Sequence, residues 1–216
     1  MRNRFDRQLV TLNDEMIEMG SMIEKAIQQA ITALITQDVD KAKEIIEYDE
    51  DIDHQEKTIE NLCLKLLLQQ QPVASDLRVI SSALKSVYDL ERIGDVTGDI
   101  ANLVLKENLS IASDLLNLSA MADETIVMVQ KAVEALTKQD EELGKSAKAM
   151  DDDIDTFFTQ AKKTIAKSFS GNENGMNYAL NLLMVAKYFE KIGDHAVNIA
   201  NWAMFSATGV LNNTEE

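Results

Sequence analysis

Apolar residues Phe5, Leu9, Leu12, Met16, Met19, Ile23, Ile27, Ala30 and Leu34 recur at intervals of three and four. That spacing places them on one stripe of a long amphipathic helix. A second stripe follows after Asp38, a candidate cap, through Ile45, Ile52, Ile59 and Leu66, flanked by Tyr48 and Leu62. Gln71-Pro72-Val73-Ala74-Ser75-Asp76 breaks the pattern, because proline lacks an N–H and restricts the residue before it. Ser75 or Asp76 then caps a third predicted helix running to about Asn108. Each helix holds about thirty residues, or roughly 45 Å.

The order repeats. Ala135-Leu136 to Gln139-Asp140 answers Ala33-Leu34 to Gln37-Asp38, and Asp151-Asp152-Asp153-Ile154-Asp155 answers Asp49-Glu50-Asp51-Ile52-Asp53, both at an offset of 102. The third helix repeats at an offset of 99, because Ser170-Gly171-Asn172-Glu173-Asn174-Gly175 replaces the proline turn. Deletions fall in loops, so the shorter offset supports the alignment. The expected fold class is all-α, two tandem antiparallel three-helix bundles over residues 1–108 and 109–216, with a short polar tail from Gly209.

Composition supports helix and narrows function. The chain has 8 glycines and one proline among 216 residues, too few turn residues for an all-β fold. Net charge is −16, which excludes a general nucleic-acid binder and suits recruitment of cations or basic partner surfaces. A single cysteine, Cys63, rules out an intrachain disulfide and reads as a buried helical thiol. The charged N-terminal residues have no signal-peptide core, and no apolar run approaches the ~20 residues of a membrane span, so a cytoplasmic protein is expected.

The candidate chemistry lies in a repeated acidic phrase. Residues 90–102 and 189–201 are identical at seven of thirteen positions, including Glu91/Glu190 and Asp95/Asp194. Carboxylates at i, i+4 sit side by side and destabilise a helix unless a cation compensates them. On a helical wheel Leu90, Ile93, Ile100 and Val104 form the apolar stripe, and Glu91, Asp95, Asp99 and Asn102 gather on a neighbouring face. Gly94, Gly98 and Ala101 lie between, where small residues would admit another helix. Glu190, Asp194, Asn198 and Asn201 take the corresponding places in the second copy. The second helix of each half adds Asp49/Asp53 or Asp151/Asp155, beside core Ile52 or Ile154. If these faces meet, four or five oxygen ligands converge in each half, a set suited to Mg²⁺, Mn²⁺ or Ca²⁺ and able to hold Fe or Zn. A solvated acidic face is the plainer alternative, against which the duplication on two helices weighs. His195, where the first copy has Val96, reads as a lone surface histidine, with a place at the cluster edge as the alternative. Arg78 and the basic cluster Arg2, Arg4 and Arg7 read as caps or surface ion-pair partners, with contact to a partner or an anion as the alternative. Trp202 and Phe205 stay open between core, dimer contact and docking patch.

Several further segments point the same way: Met1-Arg2 with Phe5-Asp6 and Leu9, Met19-Gly20, Pro72-Val73-Ala74-Ser75-Asp76-Leu77-Arg78, Asp89-Leu90-Glu91-Arg92-Ile93-Gly94-Asp95, and Glu190-Lys191-Ile192-Gly193-Asp194-His195-Ala196-Val197-Asn198-Ile199-Ala200. Together and in this order they resemble the PhoU family, accessory proteins of bacterial phosphate-specific transport, nearly end to end. The resemblance implies two repeats with multinuclear metal sites, at Asp49/Asp53 with Glu91/Asp95 and at Asp151/Asp155 with Glu190/Asp194. It also implies a dimeric, non-enzymatic regulator, reaching the membrane only through partners, that couples the phosphate ABC transporter's ATPase subunit to a sensor histidine kinase and represses phosphate uptake and starvation signalling. Asp99 and Val96 depart from the second copy's Asn198 and His195, so the two sites are expected to differ. Rival readings are a carboxylate-bridged metalloenzyme resembling a phosphohydrolase, for which the sequence offers no clear general acid or base, and a plain helical scaffold.

Overall fold

In a computed structural model, residues 2–69, 72–107, 109, 111, 116–168 and 173–211 are described. They form α1 (Arg2–Thr36), α2 (Val39–Gln69), α3 (Ala74–Glu107), α4 (Leu118–Lys138), α5 (Glu141–Ala149), α6 (Asp151–Ser168) and α7 (Glu173–Thr208). No strand occurs among the described residues, and the fold is all-α. Asn108, the start of the second turn (Ser170-Gly171-Asn172) and tail residues 212–216 lie outside them.

The repeat is visible in the backbone. Gln37 and Gln139 both adopt left-handed φ, at 55° and 54°. The next residue's N–H reaches back across each helix end, Asp38 to the Ala33 carbonyl and Asp140 to that of Ala135. This closes orphan carbonyls at the end of one helix. The same aspartates then cap the next helix, Asp38 Oδ1 accepting from the Lys41 N–H and Asp140 Oδ1 from that of Leu143. One acidic residue therefore ends one rod and starts another in both halves. The cap of α3 works differently from expectation. The helix starts at Ala74, ahead of Ser75 and Asp76, and Asp76 Oδ2 accepts from the Val73 N–H. Asp76 is thus the returning half of a capping box.

The other departure is a break at Met150, where α5 and α6 divide the rod that answers α2. Tight i→i+3 bonds, Met150 N–H to Ala147 and Asp153 N–H to Met150, surround it. Three consecutive aspartates favour a first helical turn, where the positive end of the dipole faces them. Asp151-Asp152-Asp153 accordingly opens a new helix, whereas Asp49-Glu50-Asp51 lies inside unbroken α2.

The apolar stripes meet in one continuous core that both halves share. From the α1 stripe, Phe5, Leu12, Met16, Met19, Ile23, Ile27, Ala30 and Leu34 are buried, and Leu9 is half-buried. Cys63 is fully buried, and burial pushes its thiol up to about 12, the inert helical thiol expected. Across the halves, Asn13 Nδ2 donates to the Thr137 carbonyl between α1 and α4. Between α3 and α7, Arg78 Nε donates to the Ser206 carbonyl near the end of α7. Arg78 therefore serves as a cap, and because early α3 meets late α7, these central helices run antiparallel. Trp202 and Phe205 stack edge to face at 5.7 Å, each half-buried. No helix among the described residues is long and apolar enough to cross a membrane.

Candidate metal centre

Each half places its two acidic helices face to face along a seam. Ile52 and Ile154 sit in the core beneath the seams, where they anchor α2 against α3 and α6 against α7. Closeness comes from two equivalent glycines. A methyl built on Gly94 would lie 3.1 Å from Ile52 Cγ2 and 3.2 Å from Asp49 Oδ1. One on Gly193 would lie 3.3 Å from both Asp151 Oδ1 and Ile154 Cδ1. Gly98 does not share this role, since nothing lies within 4 Å of a methyl there.

The approach leaves carboxylate oxygens without hydrogen-bond donors. Asp49 Oδ1 and Asp151 Oδ1, equivalent atoms in the two halves, are both buried and unpartnered. Glu91 Oε2 is likewise buried without a hydrogen bond, although Arg92 Nε stands 3.4 Å away. Desolvation, with the charges of Asp95, Asp53 and Asp99 behind it, raises Asp49 to about 6. Desolvation raises Asp151 to about 6 as well, with Asp155, Asp194, Asp152 and Glu190 adding to it. Glu91 rises to about 7, first through desolvation and then through Asp95. Asp99 and Asp194 are raised too, each chiefly by desolvation. Asp49, Glu91 and Asp151 are half-buried and Asp99, Asp155 and Asp194 exposed; crowded, partly sheltered negative charge in this pattern calls for either protons or a cation.

The structure thus brings Asp49, Asp53, Glu91, Asp95 and Asp99 into one electrostatic group, and Asp151, Asp155, Glu190 and Asp194 into another. In their present rotamers no three acidic, histidine or cysteine groups among the described residues close into an ion cage. The oxygens line a seam instead of enclosing a point. Asn198 is drawn elsewhere, its Nδ2 donating to Asp89 Oδ1 on α3 at 3.1 Å. Asn102 and Asn201 also leave the acidic face. Asn102 Nδ2 donates to the Gly98 carbonyl of its own helix, and Asn201 Oδ1 accepts from Lys148.

Three residues escaped the sequence reading. Glu56 acts on Glu91 and extends the first seam; its i+3 spacing from Asp53 was visible, but its counterpart is Phe158, so the repeat did not flag it. Asp89 was hidden in the same way, because its counterpart is Tyr188. Its Oδ1 also lies 2.9 Å from His195 Nδ1, so His195 bridges the two halves and is no free surface histidine. The third is Lys187, which pairs with Glu190.

A PhoU domain model matches residues 16–104 and again 118–203. This chain belongs to the PhoU family. Among curated relatives, the phosphate-specific transport system accessory protein PhoU homolog of Clostridium acetobutylicum is 33% identical over 210 residues, spanning 96% of both chains. The corresponding Pseudomonas aeruginosa homolog is 30% identical, covering 95% of this chain and 86% of its own. The crystal structure of PhoU from Pseudomonas aeruginosa superposes with a TM-score of 0.88 at 30% identity, covering 95% of this chain and all of that one. The phosphate transport system regulatory protein PhoU from Streptococcus pneumoniae gives a TM-score of 0.85 at 28% identity, over 96% of this chain and 98% of that one. The PhoU domain matches cover the paired seams in both repeats.

Proposed function

We propose that this protein is a non-enzymatic accessory regulator of phosphate-specific transport, built on two metal-clamped helical seams. The observation that carries the reading is the PhoU match over both halves, spanning nearly the full length of relatives that are named accessory proteins of that system. The finer role is to couple the transporter's ATPase subunit to a sensor histidine kinase as a cytoplasmic homodimer, restraining uptake and starvation signalling when phosphate is ample.

The residues fit divalent or trivalent metal. Unpartnered, buried Asp49 Oδ1 and Asp151 Oδ1 occupy equivalent places, and the donors are hard oxygens without thiolate, suited to Mg²⁺ or Mn²⁺ and able to take Fe or Zn. Asp49, Asp53, Glu91, Asp95 and Asp99 would hold it in the first seam. Asp151, Asp155, Glu190 and Asp194 would hold it in the second, with the Asn198 carbonyl available only if its amide group leaves Asp89. Metal bound there supplies charge neutralisation between helices. To share one ion these carboxylates would have to turn toward one another, since no three of them are gathered around a point among the described residues. An enzymatic role would need a general acid or base free to act; His195 beside Asp194 is held by Asp89, and metal bound at the seam would occupy Glu91.

The test is recovery of partners from cytoplasmic and membrane fractions on the immobilised, metal-loaded chain at high and low phosphate. The ATPase subunit and the histidine kinase are expected on the wild type, and several-fold less of both on an Asp95→Asn/Asp194→Asn variant. Recovery of neither from the wild type contradicts the regulatory reading.

A further inference from the structure

The two seams carry different organic cations at non-equivalent positions. In the first, Arg92 Nη1 lies 2.8 Å from Asp95 Oδ2 and Nε lies 3.4 Å from Glu91 Oε2, so one guanidinium bridges two candidate ligands. Its carbon sits 4.8 Å from the centre of the Tyr88 ring. In the second, Lys187 pairs with Glu190, and its ammonium lies 5.4 Å from the centre of the Phe158 ring. The glutamates beneath are similarly sheltered, at 15% and 13% exposed, while the cations above them remain at 41% and 35%.

These cations do not correspond under the repeat. At the offset of 99, Arg92 answers Lys191 and Lys187 answers Tyr88. The charge of Lys191 acts on Asp99 of the other half, and Asp99 is the extra acid that the second copy lacks. The second seam takes its cation from Lys187, one turn earlier on α7. Arg92 keeps its Tyr88 contact while it pairs with the carboxylates, and the Phe158 ring is shared with Lys162, whose ammonium lies 4.4 Å from its centre.

We propose that Arg92 and Lys187 are built-in counter-ions that hold the two seams together without metal and are displaced from their carboxylates when metal enters. This inference rests on the metal reading proposed above. A metal ion and the organic cation need the same oxygens, Glu91 and Asp95 in one seam and Glu190 in the other, so they compete. The protein then exchanges organic charge pairs at Glu91, Asp95 and Glu190 for metal ones, while Asp49 Oδ1 and Asp151 Oδ1 stay unpartnered until metal enters.

Calorimetric titration of the full-length chain with Mn²⁺ tests this, with Asp151→Asn as background for the first seam and Asp49→Asn for the second. Arg92→Gln is expected to tighten Mn²⁺ binding at the first seam about fivefold, and Lys187→Gln to do the same at the second. Each also lowers the metal-free melting temperature and leaves the Mn²⁺-saturated one nearly unchanged. Lys148→Gln, which removes a cation bonded to Asn201, is the control and shifts affinity less than about twofold. If the backgrounds bind Mn²⁺ and neither Gln variant tightens it, or the control tightens it equally, the counter-ion role is overturned. If wild type and backgrounds alike bind no Mn²⁺, the metal reading falls and this inference with it.

Discussion

Raising the pH from about 5 to about 7.5 is expected to lower the melting temperature of the metal-stripped protein by about 4–8 °C. Asp49 and Asp151 are pushed up to about 6 and Glu91 to about 7, each chiefly by desolvation. Between the ordinary carboxylate range and these values, the folded protein keeps protons that the unfolded chain has released. Stability therefore falls with rising pH: the contribution is complete below about pH 4 and gone above about pH 7. Full linkage would give roughly 3 kcal/mol per group. All three carboxyls retain solvent contact, and screening reduces this to about 2 kcal/mol for the two seams together. At about 2–4 °C per kcal/mol for a chain of this size, the stated shift follows. Excess Mn²⁺ should reverse the slope, because metal requires the deprotonated ligands and gains affinity as protons leave. Melting curves of the stripped and loaded protein across this range decide it. A flat or rising curve for the stripped protein would show that the seam carboxylates are already satisfied.

Gly94→Val is expected to destabilise the protein by about 2–3 kcal/mol, more than Gly193→Val at about 1–2 kcal/mol. The difference follows from space: the first new Cβ meets Ile52 at 3.1 Å, the second meets Ile154 and Asp151 at 3.3 Å. Ile52 and Ile154 are buried core residues and cannot move aside as a surface chain would. The better helix propensity of valine offsets only a few tenths of a kcal/mol. Gly98→Ala is the internal comparison: with nothing within 4 Å, it should stabilise by about 0.5–1 kcal/mol. Denaturant midpoints of the three variants check the order, and equal losses at all three glycines would mean that helix approach at the seam is not what requires Gly94.

Much of this was legible in the sequence because helix, burial and duplication share one periodic code. The α1 stripe, the core isoleucines and the caps at Asp38 and Asp140 follow from spacing and side-chain chemistry. The Met150 break did not follow from periodicity, because the apolar register continues through it and only the aspartate-rich first turn marks the new start. Contacts between halves were the least legible. Asp89 meets His195 and Asn198 across α3 and α7, and neither wheel nor repeat places one half against the other. Glu56 and Lys187 were missed for a related reason: comparing copies finds what they share, and these residues belong to what distinguishes them. The first seam is the more acidic, with Glu56 and Asp99 where the second has Phe158 and Asn198.

The most direct test of the account is Mn²⁺ stoichiometry by metal analysis and calorimetry on the stripped wild type, Asp49→Asn/Asp95→Asn and Asp151→Asn/Asp194→Asn. The account predicts two separable sets of sites in the wild type, with each double variant losing one set and keeping the other. Absence of specific Mn²⁺ binding, or the same stoichiometry in all three proteins, would contradict it.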